Sequence, residues 1–381
     1  MAIVLSPGLA LVSLAVWCPP AKHQRGTKHS RSRDVGALID AFSAAALQTY
    51  WIKKVSNQMK AIVVNKFGNP PEMVVEERAK PIWKDGFTLV RMHSATINQL
   101  SNTIRKGEFG ELPLPHVLGG EGSGVVEESG RFKPGTRVAI YGGSELGITQ
   151  DGLFQQWALV EDRRILELPD ALNWDEGSAL TVNYLTAYLA LTRVAKVQKG
   201  QTVLVSGASG SVGHALVQVV KALGGQPIAV VSSADKAERV RAAGAPSVID
   251  LSSQDLGDAV RNLTGGQGAD VALDPVGGEV FGQLLRAVRR RGSLVSIGFT
   301  GGKEAAVDVV DVIVGEKSLV GYSVFAEPDE VISQALIELG RLAAQGQLKP
   351  VIDTTVPLED FERGYSRLAS RKAVGSVIVR L

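Results

Sequence analysis

Apolar residues recur with two different spacings along this chain, and the spacing changes near Asn173. Before that point they form short runs separated by glycine and proline, which is typical of β-strands joined by turns. This part of the chain is therefore expected to form a compact β-rich domain. The predicted strands cover residues 60–65, 73–77, 87–96, 124–128, 137–141 and 154–160.

After Asn173 the pattern becomes one of apolar strands that alternate with amphipathic helices. Asn173 followed three residues later by Glu176 is a capping-box signature, and it predicts a long helix over residues 174–193. Near-continuous apolar strands between helices predict an α/β fold with a doubly wound parallel sheet covered on both faces. The predicted strands cover 202–206, 227–232, 247–250, 270–274 and 293–298, and the predicted helices cover 211–224, 234–243, 254–263 and 278–290.

The first 58 residues differ from the rest in charge. They carry a net charge of +5, so residues 59–381 carry −3 of the chain's total of +2. The apolar run at residues 9–17 is short and lacks a preceding basic residue, which argues against a secretory signal. We predict a disordered extension and a cytoplasmic protein, with organelle targeting by residues 1–58 as the minor alternative.

The composition excludes several classes of site and partner. The near-zero net charge gives no reason to expect nucleic acid or a membrane as a partner. No apolar run reaches the roughly 18–20 residues needed to cross a bilayer. Cys18 is the single cysteine, which excludes an internal disulfide and a zinc site built from several thiolates.

A glycine-rich turn is predicted between the strand at 202–206 and the helix at 211–224. Its glycines are spaced by three. Such a turn lets the backbone approach a pyrophosphate, which binds at the helix N-terminus where unpaired N–H groups point outward. We therefore predict that five residues of this turn contact a dinucleotide: Gly207, Gly210, Ser211, Val212 and Gly213.

The next strand ends without an acid, and this favours NADPH over NADH. NAD sites usually carry an acid about 20 residues after the first glycines, where it binds the ribose 2′-OH. Here the strand tip carries Ser232 and Ser233, followed by Lys236. Hydroxyls and an ammonium group can hold a 2′-phosphate that a carboxylate would repel. The alternative interpretation is that Ser232 caps the following helix and that Lys236 is solvated.

Several motifs carry a resemblance to a known family. They are GGEGSGVV at 119–126, KPGTRV at 133–138, LTVNYLTAY at 180–188, the glycine-rich turn, and DPVGG at 274–278. Together they make residues 59–381 similar to the medium-chain dehydrogenase/reductase superfamily, and in particular to its zinc-free quinone oxidoreductase (zeta-crystallin-like) branch.

The resemblance implies a domain organisation. A GroES-like catalytic domain would cover residues 59–180, a Rossmann NADPH-binding domain would be inserted at 181–324, and residues 325–381 would return to the catalytic domain. It also implies a homodimer joined through an edge strand near residues 318–324. The first ligand cysteine of zinc-dependent relatives falls near Ser101, and their Gly-His-Glu motif reads Gly120-Glu121-Gly122 here, so we expect no metal.

The resemblance further implies the site residues. Asn98 is the candidate active-site residue and Thr103 is a possible hydrogen-bond donor, although Asn98 is equally suited to cap the short helix that follows. Thr186 is expected to face the cofactor. Gly298 and Phe299 are expected at a strand end beside the nicotinamide.

The implied reaction is zinc-independent hydride transfer from NADPH to a small-molecule substrate, either a quinone or another α,β-unsaturated carbonyl compound. Two alternatives stay open. One is a 2-enoyl thioester reductase, although the catalytic tyrosine of that branch is Phe109 here. The other is an NADPH-binding protein without turnover that acts as a structural or regulatory partner.

Overall fold

The computed structural model describes residues 57–381, which form three β-sheets and the helices around them. The interpretations of the apolar run at 9–17, of Cys18 and of a targeting function concern residues outside the described ones. None of the helices in residues 57–381 is long and apolar enough to cross a membrane. The first strands are β1 (Gln58–Lys66), β2 (Glu72–Ala79), β3 (Phe87–Ile97), β4 (His116–Val117), β5 (Glu121–Ser129), β6 (Arg137–Tyr141), β7 (Trp157–Glu161) and β8 (Ile165–Glu167).

The β-rich part forms two mainly antiparallel sheets. One has the order β2-β1-β4, and the other has the order β15-β16-β3-β5-β6-β8, with β7 paired to β3. Strands β15 (Ile352–Pro357) and β16 (Ser376–Arg380) come from the C-terminal end of the chain. Strand β16 runs antiparallel to β3, with Val377 opposite Ile97. The C-terminal segment therefore adds β15 and β16 to the sheet that contains β3.

The third sheet is parallel and has the order β11-β10-β9-β12-β13-β14. This is the strand order of dinucleotide-binding Rossmann folds, and it confirms the predicted α/β class. Apolar clusters fill both faces of this sheet. Its strands are β9 (Thr202–Val205), β10 (Gln226–Val231), β11 (Ser247–Asp250), β12 (Ala269–Asp274), β13 (Val288–Ser296) and β14 (Ser318–Gly321).

Ten α-helices lie in residues 57–381. They are α1 (Gln99–Arg105), α2 (Trp174–Ser178), α3 (Thr181–Leu189), α4 (Ser211–Ala222), α5 (Ala234–Ala242), α6 (Leu256–Leu263), α7 (Glu279–Ala287), α8 (Val309–Gly315), α9 (Asp329–Ala344) and α10 (Phe361–Ala369). The helices of the parallel sheet occur where the apolar periodicity predicts them, with ends that differ by a few residues.

The single helix predicted over residues 174–193 is wrong, because the structure divides it. The capping box at Asn173 is present, but α2 ends after Ser178 and α3 begins at Thr181. A π-helical turn at 190–194 follows. The break turns the first N–H groups of α3 toward neighbouring acceptors, and the N–H of Val182 donates to Glu121 Oε2 at 2.8 Å.

Several contacts join the C-terminal segment to the Rossmann domain, and two of them lie near the glycine-rich turn and α5. The Gly375 N–H donates to the carbonyl of Ser209 at 2.8 Å. The buried carboxylate of Asp353 accepts from Arg239 of α5 at 3.0 Å and from Arg367 of α10 at 2.7 Å. These ion pairs hold the pKa of Asp353 well below its usual range despite burial, so the carboxylate stays charged at the junction. The segment that follows α10 is thereby held against the glycine-rich turn.

Candidate active-site cleft

A cavity of about 560 Å³ opens between the carboxyl ends of the parallel strands and the catalytic sheet. One wall consists of the glycine-rich turn and the residues that follow β10, β12 and β13. The other wall consists of α1, the first turns of α3 and the loop after β6. The cavity includes the point between β9 and β12 where the strand order reverses, which is where open α/β sheets bind their ligands.

The glycine-rich turn forms part of the cavity wall, and its glycines differ in what they require. Gly207 has φ +53, which favours glycine. A Cβ at Gly213 would lie 2.6 Å from Ala208 Cα, so close packing of helix on strand excludes any side chain there. A Cβ at Gly210 would lie 3.4 Å from Gly207 O, an ordinary contact. Gly210, the residue before α4, borders the cavity, as do Ser211 and Val212.

At one end of the cleft two cationic side chains lie close together. Lys236 and Arg371 both line the cavity, and Lys236 Nζ donates to Ser232 Oγ at 3.1 Å. Burial lowers the pKa of Lys236, and the nearby Arg371 charge lowers it further. Arg371 follows α10, and the sequence analysis missed it because only the return of the C-terminal segment brings it to α5.

Ser232 and Ser233 are placed differently. The residue that precedes α5 is Ser233, and its side chain makes no capping hydrogen bond. Ser233 does not line the cavity, whereas Ser232 does. The alternative interpretation of Ser232 as a helix cap is therefore wrong, and Ser233 is not positioned as a direct ligand.

Thr186 and Gly298 also line the cavity. Thr186 Oγ1 donates to the carbonyl of Val182 at 2.7 Å, within α3. Phe299 is 57% exposed and lies outside the lining, so its predicted position beside the nicotinamide is not observed. The chain turns after Gly298, where the N–H of Gly302 donates to Phe299 O at 3.1 Å, and Phe299 is left in solvent.

Asn98 lines the cavity, but Thr103 does not. Asn98 precedes α1 without making a side-chain capping bond, and its Nδ2 donates to Glu121 Oε1 at 2.8 Å. The residues of α1 that face the cavity include Leu100 and Ile104, which are four positions apart and share one face of the helix. Thr103 is not among the described lining residues, so the structure does not place it as a donor to substrate.

Glu121, the first residue of β5, is fully buried behind the cleft wall. Its carboxylate accepts from Asn98 Nδ2, from Asn183 Nδ2 at 2.7 Å and from the N–H of Val182. Thr181 Oγ1 lies 3.4 Å away. Burial raises the pKa of Glu121 to about 7, although these hydrogen bonds act in the opposite direction. The sequence signal for it was an acid at the start of a run of glycine, serine and valine residues.

Comparison with known proteins identifies the family. The description "Alcohol dehydrogenase GroES-like domain" matches residues 84–170, and "Zinc-binding dehydrogenase" matches residues 211–340. The quinone oxidoreductase of Pongo abelii is 30% identical over 330 residues, which span 85% of this chain and 98% of that protein. The chain belongs to the medium-chain dehydrogenase/reductase superfamily.

Solved structures of similar proteins share the whole two-domain arrangement. An NAD-dependent alcohol dehydrogenase superimposes with a TM-score of 0.77 at 28% identity, over 85% of this chain and 100% of that one. A mycobacterial protein solved in complex with NADPH superimposes with a TM-score of 0.75 at 28% identity, again over 85% and 100%. The chain is therefore an oxidoreductase of the medium-chain dehydrogenase/reductase superfamily, with a GroES-like and a Rossmann domain.

Zinc-dependent members of this superfamily need a ligand set that this chain does not offer at the same place. The resemblance places their first ligand cysteine near Ser101, whose Oγ donates to the carbonyl of Asn98 at 2.8 Å. Both carboxylate oxygens of Glu121 already accept hydrogen bonds from neutral N–H groups. Within residues 57–381, no three His, Cys, Asp or Glu side chains lie close enough together to hold a metal ion. These residues do not fit a zinc ion.

Replacing Gly213 with alanine should destabilise the protein, because the added methyl group overlaps the backbone of Gly207 and Ala208. We expect the free energy of unfolding of Gly213→Ala to fall by about 1–3 kcal/mol, as at other overpacked sites. The matched control is Gly130→Ala, where the nearest atom to the new Cβ is Trp83 Cζ2 at 3.9 Å. The apparent melting temperature checks this, and equal values for the two variants would contradict it.

Proposed function

We propose that this protein is a zinc-independent oxidoreductase that uses NADPH to reduce a quinone or another α,β-unsaturated carbonyl compound. The observation that carries the proposal is the division of the cleft. Among the described lining residues, the two charged side chains, Lys236 and Arg371, lie together at one end. The other lining residues are uncharged, and their polar groups are amides, hydroxyls and the backbone. The relatives named quinone oxidoreductase and the NADPH-bound neighbour support the same assignment.

The cofactor end suits a dinucleotide with a 2′-phosphate. The pyrophosphate would bind at the N-terminus of α4, whose first turn holds no acid. Lys236, Arg371 and the hydroxyl of Ser232 would hold the 2′-phosphate by charge-assisted hydrogen bonds. Asp235 is exposed and is not part of the described lining, so it offers no competing carboxylate at this position.

The substrate end suits a neutral, electron-poor compound. When bound, NADPH supplies a hydride from its nicotinamide ring. The chain supplies an apolar pocket that limits access of water, and amide groups that orient what binds there. Quinones and enones delocalise the charge that develops on oxygen, so they need less help from a strong acid. The apolar side chains are Leu100, Ile104, Leu146, Ile148, Val324 and Phe325.

The enoyl thioester reductase alternative lacks its proton donor. Phe109 occupies the position of the catalytic tyrosine, it has no hydroxyl, and it lies outside the described lining of the cavity. A binding protein without turnover is the second alternative. It predicts the same cofactor affinity as the enzyme and no reaction.

The test is the oxidation of NADPH, followed at the nicotinamide absorbance, across a panel of quinones, enones and 2-enoyl thioesters. We expect turnover with quinones or enones, because most of the side chains that line the pocket are apolar or uncharged. Turnover with enoyl thioesters alone would favour the second enzyme class. Tight NADPH binding with no turnover across the panel would favour the non-catalytic role.

Lys236→Ala should weaken NADPH binding about tenfold or more and change NADH binding less than about twofold, because a charge-assisted hydrogen bond to a phosphate contributes roughly 1.5–3 kcal/mol. Titration calorimetry with both cofactors measures this. Lys199→Ala, at an exposed lysine outside the cavity, is the matched control. An equal loss for NADPH and NADH would contradict the 2′-phosphate role.

We also propose that two copies of the chain associate through the free edge of the parallel sheet. Strand β14 lies at that edge, and Leu319 and Val320 on it are about 40% exposed. Helix α8 beside it exposes Val309, Val310, Ile313 and Val314, each to more than 60%. An unpaired strand beside an exposed apolar helix face is typical of a surface that a partner covers.

Ile313→Glu should convert the dimer to a monomer, since it places a charge in the apolar surface of α8. Analytical ultracentrifugation of the full chain measures the mass. Ile82→Glu is the matched control, because Ile82 is 81% exposed and lies on the opposite domain. A wild-type monomer, or a dimer that survives Ile313→Glu, would refute the proposed interface.

A further inference from the structure

The carboxylate of Glu121 is buried without a cationic partner. Its Oε1 accepts from both Asn98 Nδ2 at 2.8 Å and Asn183 Nδ2 at 2.7 Å, and its Oε2 accepts from the N–H of Val182 at 2.8 Å. In the part of the chain that the structure describes, no Lys, Arg or His pairs with it. All three of its donor partners line the cleft, while Glu121 itself does not.

Glu121 fixes which atom Asn183 offers to the cleft. Above its pKa of about 7, Glu121 is a carboxylate that only accepts hydrogen bonds, so the amide must turn its nitrogen toward it. The second hydrogen of Asn183 Nδ2 goes to the carbonyl of Ala179 at 3.2 Å. Both amide hydrogens are therefore used. Asn183 Oδ1 accepts from no described residue and is not closed off from solvent, so it faces the cavity that Asn183 lines.

Asn98 is held in the same way from the opposite segment of the wall. It precedes α1, where an asparagine usually caps the helix with its side-chain oxygen, but here it makes no capping bond. One hydrogen of its Nδ2 goes to Glu121. The second hydrogen and Oδ1 have no partner among the described residues, so Asn98 offers one donor and one acceptor.

We propose that Glu121 is a positioning residue that sets the amides of Asn98 and Asn183 so that the inner end of the cleft presents two acceptors and one donor. This rests on the proposed function, because a primary carboxamide has the complementary set. It carries two N–H donors and one carbonyl acceptor, and the nicotinamide of NADPH bears such a group. Glu121 acts through the two asparagines and does not touch the cofactor.

Glu121→Gln tests the proposal because it changes one donor–acceptor position and little of the volume. The backbone N–H of Val182 cannot reverse, so the new amide must turn its oxygen to Val182 and its nitrogen toward Asn98 and Asn183. The amide nitrogen of the new glutamine would then face the amide nitrogens of Asn98 and Asn183. Both asparagine side chains must therefore rotate to present their oxygens as acceptors. Their NH₂ groups would face the cleft and meet the NH₂ of the carboxamide.

The experiment compares two probes on the full chain by titration calorimetry, at a pH well above the pKa of about 7 so that Glu121 is ionised. NADPH contains the nicotinamide, whereas adenosine 2′,5′-bisphosphate contains the 2′-phosphate without it. We expect Glu121→Gln to weaken the binding of NADPH at least about tenfold and the binding of the bisphosphate less than about twofold. Asp175→Asn is the matched control, because Asp175 is a buried carboxylate that binds Ser94 and Arg380 outside the cleft lining. It should change neither affinity.

The outcomes separate this inference from the proposed function. An unchanged NADPH affinity, or equal losses for both probes, in Glu121→Gln would overturn the positioning role and leave the cofactor assignment standing. A wild-type chain that binds neither probe would overturn both. If Glu121→Gln does not fold, Asn183→Leu removes the acceptor with Glu121 intact. Asn183→Leu should bind NADPH more weakly and the bisphosphate with nearly unchanged affinity. Unchanged affinity for both probes, or equal losses for both, would again overturn the positioning role.

Discussion

A carboxylate buried without a cation must be satisfied by neutral donors, and this requirement at Glu121 determines how three segments meet. The donors come from Asn98 before α1 and from Val182 and Asn183 in the first turn of α3. The first N–H groups of a helix have no partner inside it, so a helix that begins at this point can supply one. The division between α2 and α3 therefore follows from the acid on β5 that the new helix start must face.

This arrangement lowers stability at neutral pH. Because burial raises the pKa of Glu121 to about 7 from an ordinary value of 4.5, the folded chain holds a proton that the unfolded chain has lost between those values. The free energy of unfolding accordingly falls as pH rises through that window, by roughly 3 kcal/mol at about 1.4 kcal/mol per unit. A leucine here would avoid this loss, but it would leave the N–H of Val182 and the amides of Asn98 and Asn183 without their acceptor.

Much of the architecture follows from the sequence because periodicity reports which faces are buried. The strand at 137–141, the helix at 211–222 and the glycine-rich turn occur where the pattern predicts them. The failures concern side-chain direction. Thr103 and Phe299 stand beside residues that line the cleft, but a short helix and a sharp turn point them elsewhere. Arg371 could not be predicted, because its position depends on β16 pairing with β3 at the far end of the chain.

The two ends of the cleft need opposite electrostatics, and the fold supplies them by different means. Phosphates need cations in direct contact, and Lys236 and Arg371 provide them from segments that only tertiary structure brings together. A neutral carboxamide needs matched donors and acceptors, and an exposed carboxylate in their place would offer it acceptors alone. Glu121 lies behind Asn98 and Asn183, so the cleft meets oriented amides while the carboxylate stays out of direct contact. A buried acid can in this way give a binding site its polarity while the site itself remains neutral.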